Sequence, residues 1–258
     1  MSQHSSFRDD VWGRLARTSE FIGVTTFGTT TQALSAGAHV RAVHAAMTAA
    51  DPRTGDPYRI DAPELLGWVH VCLVDSVVEV MRRSGVPLSD ADADRYVQEQ
   101  VRAAMLVGLE PDEVPHDHAE LVQYVADARP TLRVTAAARE EVSYVIAPPI
   151  PARYAAVARP AWAAVAGLAF AALPSWARRM YSIPELPGAA ALHGAATTVA
   201  LHALHASLRG VQGVVPALRE GPHLRSARER LAAPPEPSAP PVRRRRPSPP
   251  NRSPRLEG

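Results

Sequence analysis

Two short segments place side chains that could hold a redox cofactor at helical spacing. Arg14, Arg17 and Thr18 are three and four positions apart, and Arg41 precedes His44 by three. Each set therefore shares one face of a predicted helix. An imidazole nitrogen can bind iron, and arginines at the edge of a pocket can pair with haem propionates. From spacing alone the signal is weak, because a single histidine on an apolar helix face is more often a core residue with a hydrogen-bond partner.

His70 is a second histidine inside an apolar helical segment, WVHVCLVDS at residues 68–76. The ordinary interpretation is a buried helix in which the imidazole bonds a neighbouring group. The alternative is that His70 supports a cofactor ligand. Cys72 is expected to act as a small buried apolar side chain, and a single cysteine excludes an internal disulfide.

Other chemistries find less support. His202 and His205 are three apart and could join His193 in a zinc site, but no cysteine or carboxylate lies close to them in sequence. The HDH segment at 116–118 predicts an exposed first helical turn, where Asp117 complements the helix dipole. A Gly-rich phosphate loop, a G-x-S-x-G elbow and a Rossmann fingerprint are all absent from the sequence, which disfavours phosphoryl transfer, hydrolysis and nicotinamide chemistry.

These residues must be positioned by helices. The helical spacing of apolar residues, together with the prolines and glycines that end helices, predicts helices at 10–27, 31–50, 63–83, 91–107, 116–128, 136–146, 155–172 and 187–209. Asp61 and Ser89 are the expected N-caps of the third and fourth helices. Sustained period-two alternation does not occur, so sheet content should be minor. The sequence thus predicts an all-α domain over residues 1–222.

The longest uncharged apolar run covers residues 161–174, AWAAVAGLAFAALP. It is shorter than the roughly 20 residues that a membrane span requires. We therefore expect a buried core helix here, with contact to a membrane surface, without crossing, as the lesser alternative. The N-terminal residues lack a signal-peptide pattern, and a cytoplasmic location is expected.

Residues 233–258 form a tail rich in proline and arginine, which predicts disorder. Six arginines and two glutamates lie in this tail, whereas the whole chain has a net charge of only +2. The body of the chain is therefore slightly acidic, and specific nucleic-acid binding is not expected. An interaction through the tail stays open as an alternative.

Six blocks in fixed order resemble one protein family. They are HSSFRDDVWGRLARTSEFIGVTTFG (4–28), VRAVHAAM (40–47), GDPYRIDAPELLGWVHVCLVDSVVE (55–79), PLSDADADRYVQEQ (87–100), LVGLEPDEVP (106–115) and LPSWARRMYSIP (173–184). The chain is similar to the family of the rubber oxygenase called latex clearing protein and of the MpaB-type oxygenase of mycophenolic acid synthesis, which is common in actinobacteria. The resemblance covers roughly residues 4–219.

That resemblance implies a globin-like, all-helical core that holds b-type haem. It also implies oxidative chemistry with dioxygen on a hydrophobic substrate such as an isoprenoid chain. By position, His44 matches the proximal iron ligand and Arg41 the arginine before it. The distal cluster of the family matches Arg14, Arg17 and Thr18. His70 would be a supporting residue or an alternative ligand.

The sequence departs from the family pattern in two places. Arg17 stands where the rubber oxygenase has a lysine that can cap the iron, and a guanidinium that is always charged cannot do this. We therefore expect an open or water-bound sixth position, or a different ligand, and a substrate that need not be rubber. The chain also begins almost on its first block, so either the true start lies further upstream or part of the haem pocket is missing. A haem-free helical binding or structural domain with an interacting tail is the alternative function.

Overall fold

The computed structural model describes residues 10–51, 54–182, 190–214 and 221–233, and it confirms the all-α prediction. The strands among these residues form one hairpin, in which β1 (Thr48–Ala50) and β2 (Pro57–Arg59) have three residues each. The helices, in chain order, are α1 (Val11–Phe27), α2 (Thr30–Ala45), α3 (Pro63–Arg83), α4 (Asp90–Val107), α5 (His118–Ala128), α6 (Ala136–Ile146), α7 (Ala152–Ala172), α8 (Ser175–Met180), α9 (Ala190–Val214) and α10 (Pro222–Ala232). The predicted tail at 233–258 lies almost wholly outside the described residues.

Local capping explains where several helices begin. Ser89 caps α4 in a reciprocal capping box with Asp92, as the sequence predicted. Thr29 and Gln32 form the same arrangement at α2. The Asp117 side chain accepts a hydrogen bond from the Glu120 backbone N–H at α5, which confirms an N-terminal turn there. These caps use contacts within three residues, so sequence can reveal them.

The predicted helix over 31–50 is wrong in its last five residues. α2 ends at Ala45, and the chain enters the β1–β2 hairpin, in which Ala49 pairs with Tyr58. Ala49 is buried in this pairing. The local helix propensity of alanine is a weak preference, and here the pairing with residues seven to eleven positions away overrides it.

The predicted N-cap role of Asp61 is also wrong. Its carboxylate instead accepts two hydrogen bonds from the Arg59 guanidinium, at 2.6 Å and 2.8 Å. α3 consequently begins after Ala62 without a side-chain cap, and Pro63 at its first position limits the cost because proline has no N–H to satisfy.

The centre of the fold lies where α3, α4 and α5 meet. Val71 and Val74 of α3 pack against Val97 of α4 and Leu121 of α5, and all four side chains are at most 2% exposed. A second cluster continues this core toward the end of α4; it comprises Leu66, Val101, Ala104, Leu109 and Val114. These three helices form the rigid support for the elements around them.

α2 lies against the C-terminal end of α4 through a close backbone approach. A Cβ on Gly37 would lie 2.6 Å from the Leu106 carbonyl oxygen, so only glycine fits there. One turn later, Arg41 donates from Nη1 to the same carbonyl at 2.6 Å, and its side chain crosses Gly108. α2 is therefore fixed to α4 at two successive turns.

The buried core helix expected at residues 161–174 is not observed. Of the α7 side chains, only Ala166 is buried. Judged by length and composition alone, α7 is long and apolar enough to cross a membrane. Only 6% of its most apolar window is buried inside the protein. Alanine is the commonest residue on every side of α7. The helix therefore has no stripe of large apolar side chains that could direct one face into the core.

The C-terminal end of α7 is nonetheless firmly attached to its neighbours. Arg83 of α3 donates to the Ala172 carbonyl at 3.2 Å, and the His193 ring of α9 bonds the Ala171 carbonyl at 3.0 Å. The buried Arg178 of α8 donates to the Ala171 and Leu173 carbonyls. These side chains satisfy carbonyls that the last turn of a helix leaves without partners.

Candidate functional site

The His44 ring differs from a typical core histidine. It lies in the last turn of α2, is half-buried, and its Nδ1 atom is buried without a hydrogen-bond partner among the described residues. Burial lowers the pKa of His44, and the charge of Asp61 opposes this with a smaller effect. The ring is therefore neutral near pH 7. The interpretation as a core histidine satisfied by a hydrogen bond does not hold for this nitrogen.

Helix α2 positions His44 through the contacts made one and two turns earlier. Gly37, Arg41 and His44 follow each other at four and three residues, so they lie on one side of α2. Gly37 and Arg41 both meet the Leu106 carbonyl. Arg41 thus acts here as an anchor of α2 on α4, and this contact holds the helical turn that carries His44.

Asp61 belongs to this site, although sequence analysis assigned it a capping role. It follows β2, pairs with Arg59, and is close enough to His44 for its charge to act on the ring. The Arg59 guanidinium in turn lowers the pKa of the Asp61 carboxyl, which keeps it ionised. No sequence signal links positions 44 and 61, because the hairpin that brings them together was not predicted.

The three candidate site residues of α1 differ in their exposure to solvent. Arg14 is half-buried, whereas Arg17 and Thr18 are exposed. Arg17 donates from Nη1 to the Asp10 carboxylate at 3.1 Å, and its side chain is 65% exposed. Thr18 lies three residues after Leu15 on an apolar and exposed part of α1. Among the described residues, the ion pair of Arg17 is made with Asp10 at the start of the same helix, and not with His44.

His70 lies on the buried side of α3, next to the core residues Val71 and Val74. It is half-buried, and burial lowers the pKa of its ring, so it is neutral near pH 7. Within the described part of the chain, its ring makes no hydrogen bond. The expected bond to a neighbouring group is therefore not seen there.

The zinc alternative loses its basis. His193 bonds the Ala171 carbonyl, His202 the Thr198 carbonyl of its own helix, and His205 the Ser84 carbonyl. Across the described residues, no group of three or more histidine, cysteine or acidic side chains could hold a metal ion. Burial raises the pKa of the Cys72 thiol to about 12, so it stays protonated as an inert apolar group.

Two open clefts lie around the connection from α6 to α7. One has a volume of about 550 Å³ and is lined by Trp12, Ile150, Pro151, Arg153, Tyr154, Ala156, Val157 and Ala158. The other has about 720 Å³ and is lined by Ile146, Ala147, Pro148, Pro149, Ile150, Pro151, Arg159, Trp162 and Ala163. The linings are apolar apart from two arginines, and neither includes His44.

Residues 1–209 match the family described as "ER-bound oxygenase mpaB/B'/Rubber oxygenase, catalytic domain". The match covers most of the chain, so the chain belongs to this family, and the resemblance drawn from the six blocks is confirmed. The class of protein is that of oxygenase catalytic domains. Comparison with curated proteins and with solved structures gave no match.

The residues around His44 can be tested against the needs of a haem ligand. Haem requires few protein ligands because the porphyrin supplies the others, so a single histidine is enough. The ring must be neutral, and one of its two nitrogens must be free of other bonds so that it can bind the iron. His44 meets both conditions, because its pKa is lowered and its buried Nδ1 has no partner among the described residues. The site therefore fits haem in its ligand chemistry.

Proposed function

We propose that this protein is a haem b-dependent oxygenase that acts with dioxygen on a hydrophobic substrate. One observation carries the proposal: a chain of an oxygenase family holds a neutral, half-buried His44 whose Nδ1 lacks a partner in the described structure. Buried polar atoms without partners are rare in proteins and often mark a missing ligand or a functional role.

In this proposal His44 binds the haem iron, and Arg41 positions it through the bond to the Leu106 carbonyl. Haem, when bound, supplies an iron centre at which dioxygen can be bound and activated. The carboxylate of Asp61, held by Arg59, favours positive charge near the His44 ring and so supports its donation of electron density.

Arg14, Arg17 and Thr18 are proposed to shape the pocket that would hold the cofactor and the substrate. The Arg17 guanidinium can donate hydrogen bonds to an anionic or oxygen-rich group, but it cannot ligate iron as a neutral amine could. Such a role requires Arg17 to exchange its exposed contact with Asp10 for a new partner. The exposed Leu15 and Ile22 offer apolar surface on the same helix for a hydrophobic substrate, which could be isoprenoid-like.

His70 is proposed as a supporting residue and as the alternative ligand. Its ring is neutral and half-buried, as a ligand must be, but the backbone around it belongs to the packed centre of the fold. A haem group at His70 would have to displace part of that packing, whereas His44 lies at the end of a helix.

A haem-free binding domain is the second candidate. The exposure of Thr18 and the exposed Arg17–Asp10 pair favour it, because these residues form no enclosed pocket among the described residues. Under this alternative the family fold is kept while the cofactor is lost, and the arginine-rich tail provides the interaction.

The two candidates are separated by the absorption spectrum of the full chain purified after expression with ample haem. We expect a Soret band that is lost in His44→Ala and kept in His39→Ala, a control on the exposed side of the same helix. Added imidazole should restore the band in His44→Ala by replacing the missing ligand.

Two results would refute the haem proposal or its ligand. A colourless wild-type protein that folds normally by circular dichroism would favour the binding domain. A band lost in His70→Ala but kept in His44→Ala would transfer the ligand role to His70.

A further inference from the structure

Helix α7 presents an apolar surface to solvent that the described chain does not cover. Tyr154, Val157 and Val165 are 57%, 79% and 52% exposed, and they lie on one side of the helix with Ala161 between them. We call this side the α7 face. Apolar patches of this kind on a folded protein usually mark a site of contact with a partner or a membrane.

The chemistry around the α7 face is that of a membrane interface. The two clefts beside it contain Trp12, Trp162 and Tyr154 together with Arg153 and Arg159, and no acidic residue lines either cleft. Tryptophan and tyrosine are enriched at the level of lipid headgroups, where their rings are apolar and their polar atoms stay hydrated. Arginine adds attraction to anionic lipids while its aliphatic part lies along apolar groups.

The two tryptophans are held in place at this surface. Their rings meet edge to face with centroids 5.0 Å apart. Trp12 Nε1 donates to the Pro149 carbonyl and Trp162 Nε1 to the Val145 carbonyl, both at 2.8 Å. The indole N–H groups are thus already satisfied, so the rings can enter an apolar medium without leaving a donor unpaired.

The attachment of α7 favours contact with the membrane surface over crossing. Its C-terminal end is tied to α3 and α9 by the bonds of Arg83 and His193 to the Ala172 and Ala171 carbonyls. Its middle is tied to α6 by the Trp162 bond to the Val145 carbonyl. A crossing helix would have to release these contacts, whereas a helix lying on the surface keeps them and inserts only the α7 face.

We propose that the protein docks peripherally on an anionic phospholipid bilayer through the α7 face, with Arg153 at the headgroups. This inference is independent of the proposed haem function, because it concerns neither His44 nor the residues around it. An apolar substrate dissolved in a bilayer would be accessible to a protein docked in this way.

The test is co-sedimentation of the full chain with vesicles of phosphatidylcholine alone and of phosphatidylcholine mixed with phosphatidylglycerol. Val157→Asp and, separately, Val165→Asp place a charge in the α7 face. The matched control is Val122→Asp, since Val122 on α5 is 50% exposed and Val165 is 52% exposed. The tail is the same in all variants, so its own attraction to anionic lipid is common to them.

We expect the wild type to bind the mixed vesicles, Val157→Asp and Val165→Asp to bind on the order of tenfold more weakly, and Val122→Asp to match the wild type. Arg153→Gln should weaken binding to the mixed vesicles about fivefold and leave any binding to neutral vesicles unchanged. Circular dichroism would verify that each variant is folded.

Three outcomes would overturn the inference. The first is a wild type that binds neither kind of vesicle. The second is equal binding by Val157→Asp and the wild type, which would assign the attraction to the tail. The third is a wild-type dimer that Val157→Asp converts to a monomer, since a second copy would then cover the α7 face.

Discussion

Helices α3 and α7 have the same length of 21 residues and are both rich in apolar side chains, yet they occupy opposite environments. α3 buries Leu66, Val71, Val74 and Val78 along one side, whereas α7 buries only Ala166. α3 concentrates large branched side chains at intervals of three and four residues. The comparison shows that it is this arrangement, more than total apolar content, that directs a helix into the core.

The two helices also differ in what their neighbours provide. α3 contributes to both core clusters with α4 and α5. α7 is held at its end by side chains that bond its last carbonyls, and at its middle by Trp162. We therefore expect substitutions in α3 to change the stability of the fold, and substitutions on the α7 face to change interactions at nearly constant stability.

The largest contrast is expected between two valines. Val74→Ala on α3, where the side chain is 1% exposed, should lower the free energy of unfolding by about 2–3 kcal/mol through lost burial and a residual cavity. Val157→Ala on α7, where the side chain is 79% exposed, should change it by less than about 0.5 kcal/mol. Urea denaturation followed by circular dichroism measures both. Equal losses would show that α7 is packed against part of the chain in solution.

A smaller contrast is expected between two glycines, and here the signs differ. Gly37→Ala should destabilise the protein by about 1–2 kcal/mol, because its Cβ would lie 2.6 Å from the Leu106 carbonyl oxygen and α2 would have to shift. Gly167→Ala on α7 should stabilise by about 0.5–1 kcal/mol, because nothing lies within 4 Å and alanine favours helix.

Melting temperatures of the two glycine variants would measure this contrast. Gly37→Ala should also weaken any haem binding, since α2 carries His44. A stabilising Gly37→Ala would contradict the close approach of α2 and α4.

The smallest expected effect is the pH dependence of the stability that comes from Asp75 of α3. α7 has no acidic residue, so it makes no contribution of this kind. Burial, followed by the charge of Glu79, raises the pKa of Asp75 above its ordinary value of 3.8, and His118 opposes this. The folded state therefore holds this proton more tightly than the unfolded state. The contribution of Asp75 to stability is greatest in acid and is lost as the pH rises through its folded pKa.

Asp75→Asn removes this ionisation and should make the protein more stable than the wild type at about pH 7. The advantage should shrink as the pH is lowered toward about 4, where the wild-type carboxyl becomes protonated. Denaturation midpoints at several pH values provide the measurement. If the stability difference between Asp75→Asn and the wild type were the same at every pH, the Asp75 carboxyl would be solvated and its pKa would not change on folding.

The sequence by itself determined most of the helices and the family. The α4 start at Ser89 and the α5 start at Asp117 follow from contacts within three residues, and the ordered blocks identified the oxygenase family that the 1–209 match confirms. Candidate residues such as His44 could be named in the same way, because their recognition needs only residue type and spacing. The globin-like arrangement of the helices and the role of each candidate stay predictions.

Only the tertiary structure decided which apolar helix enters the core and what surrounds each candidate residue. The exposure of α7, the anchoring of Arg41 on the Leu106 carbonyl and the proximity of Asp61 to His44 depend on partners 17 or more positions away in the chain. Burial and electrostatic fields sum over such distant neighbours. Helix propensity and capping act within a few residues and contain no information about them.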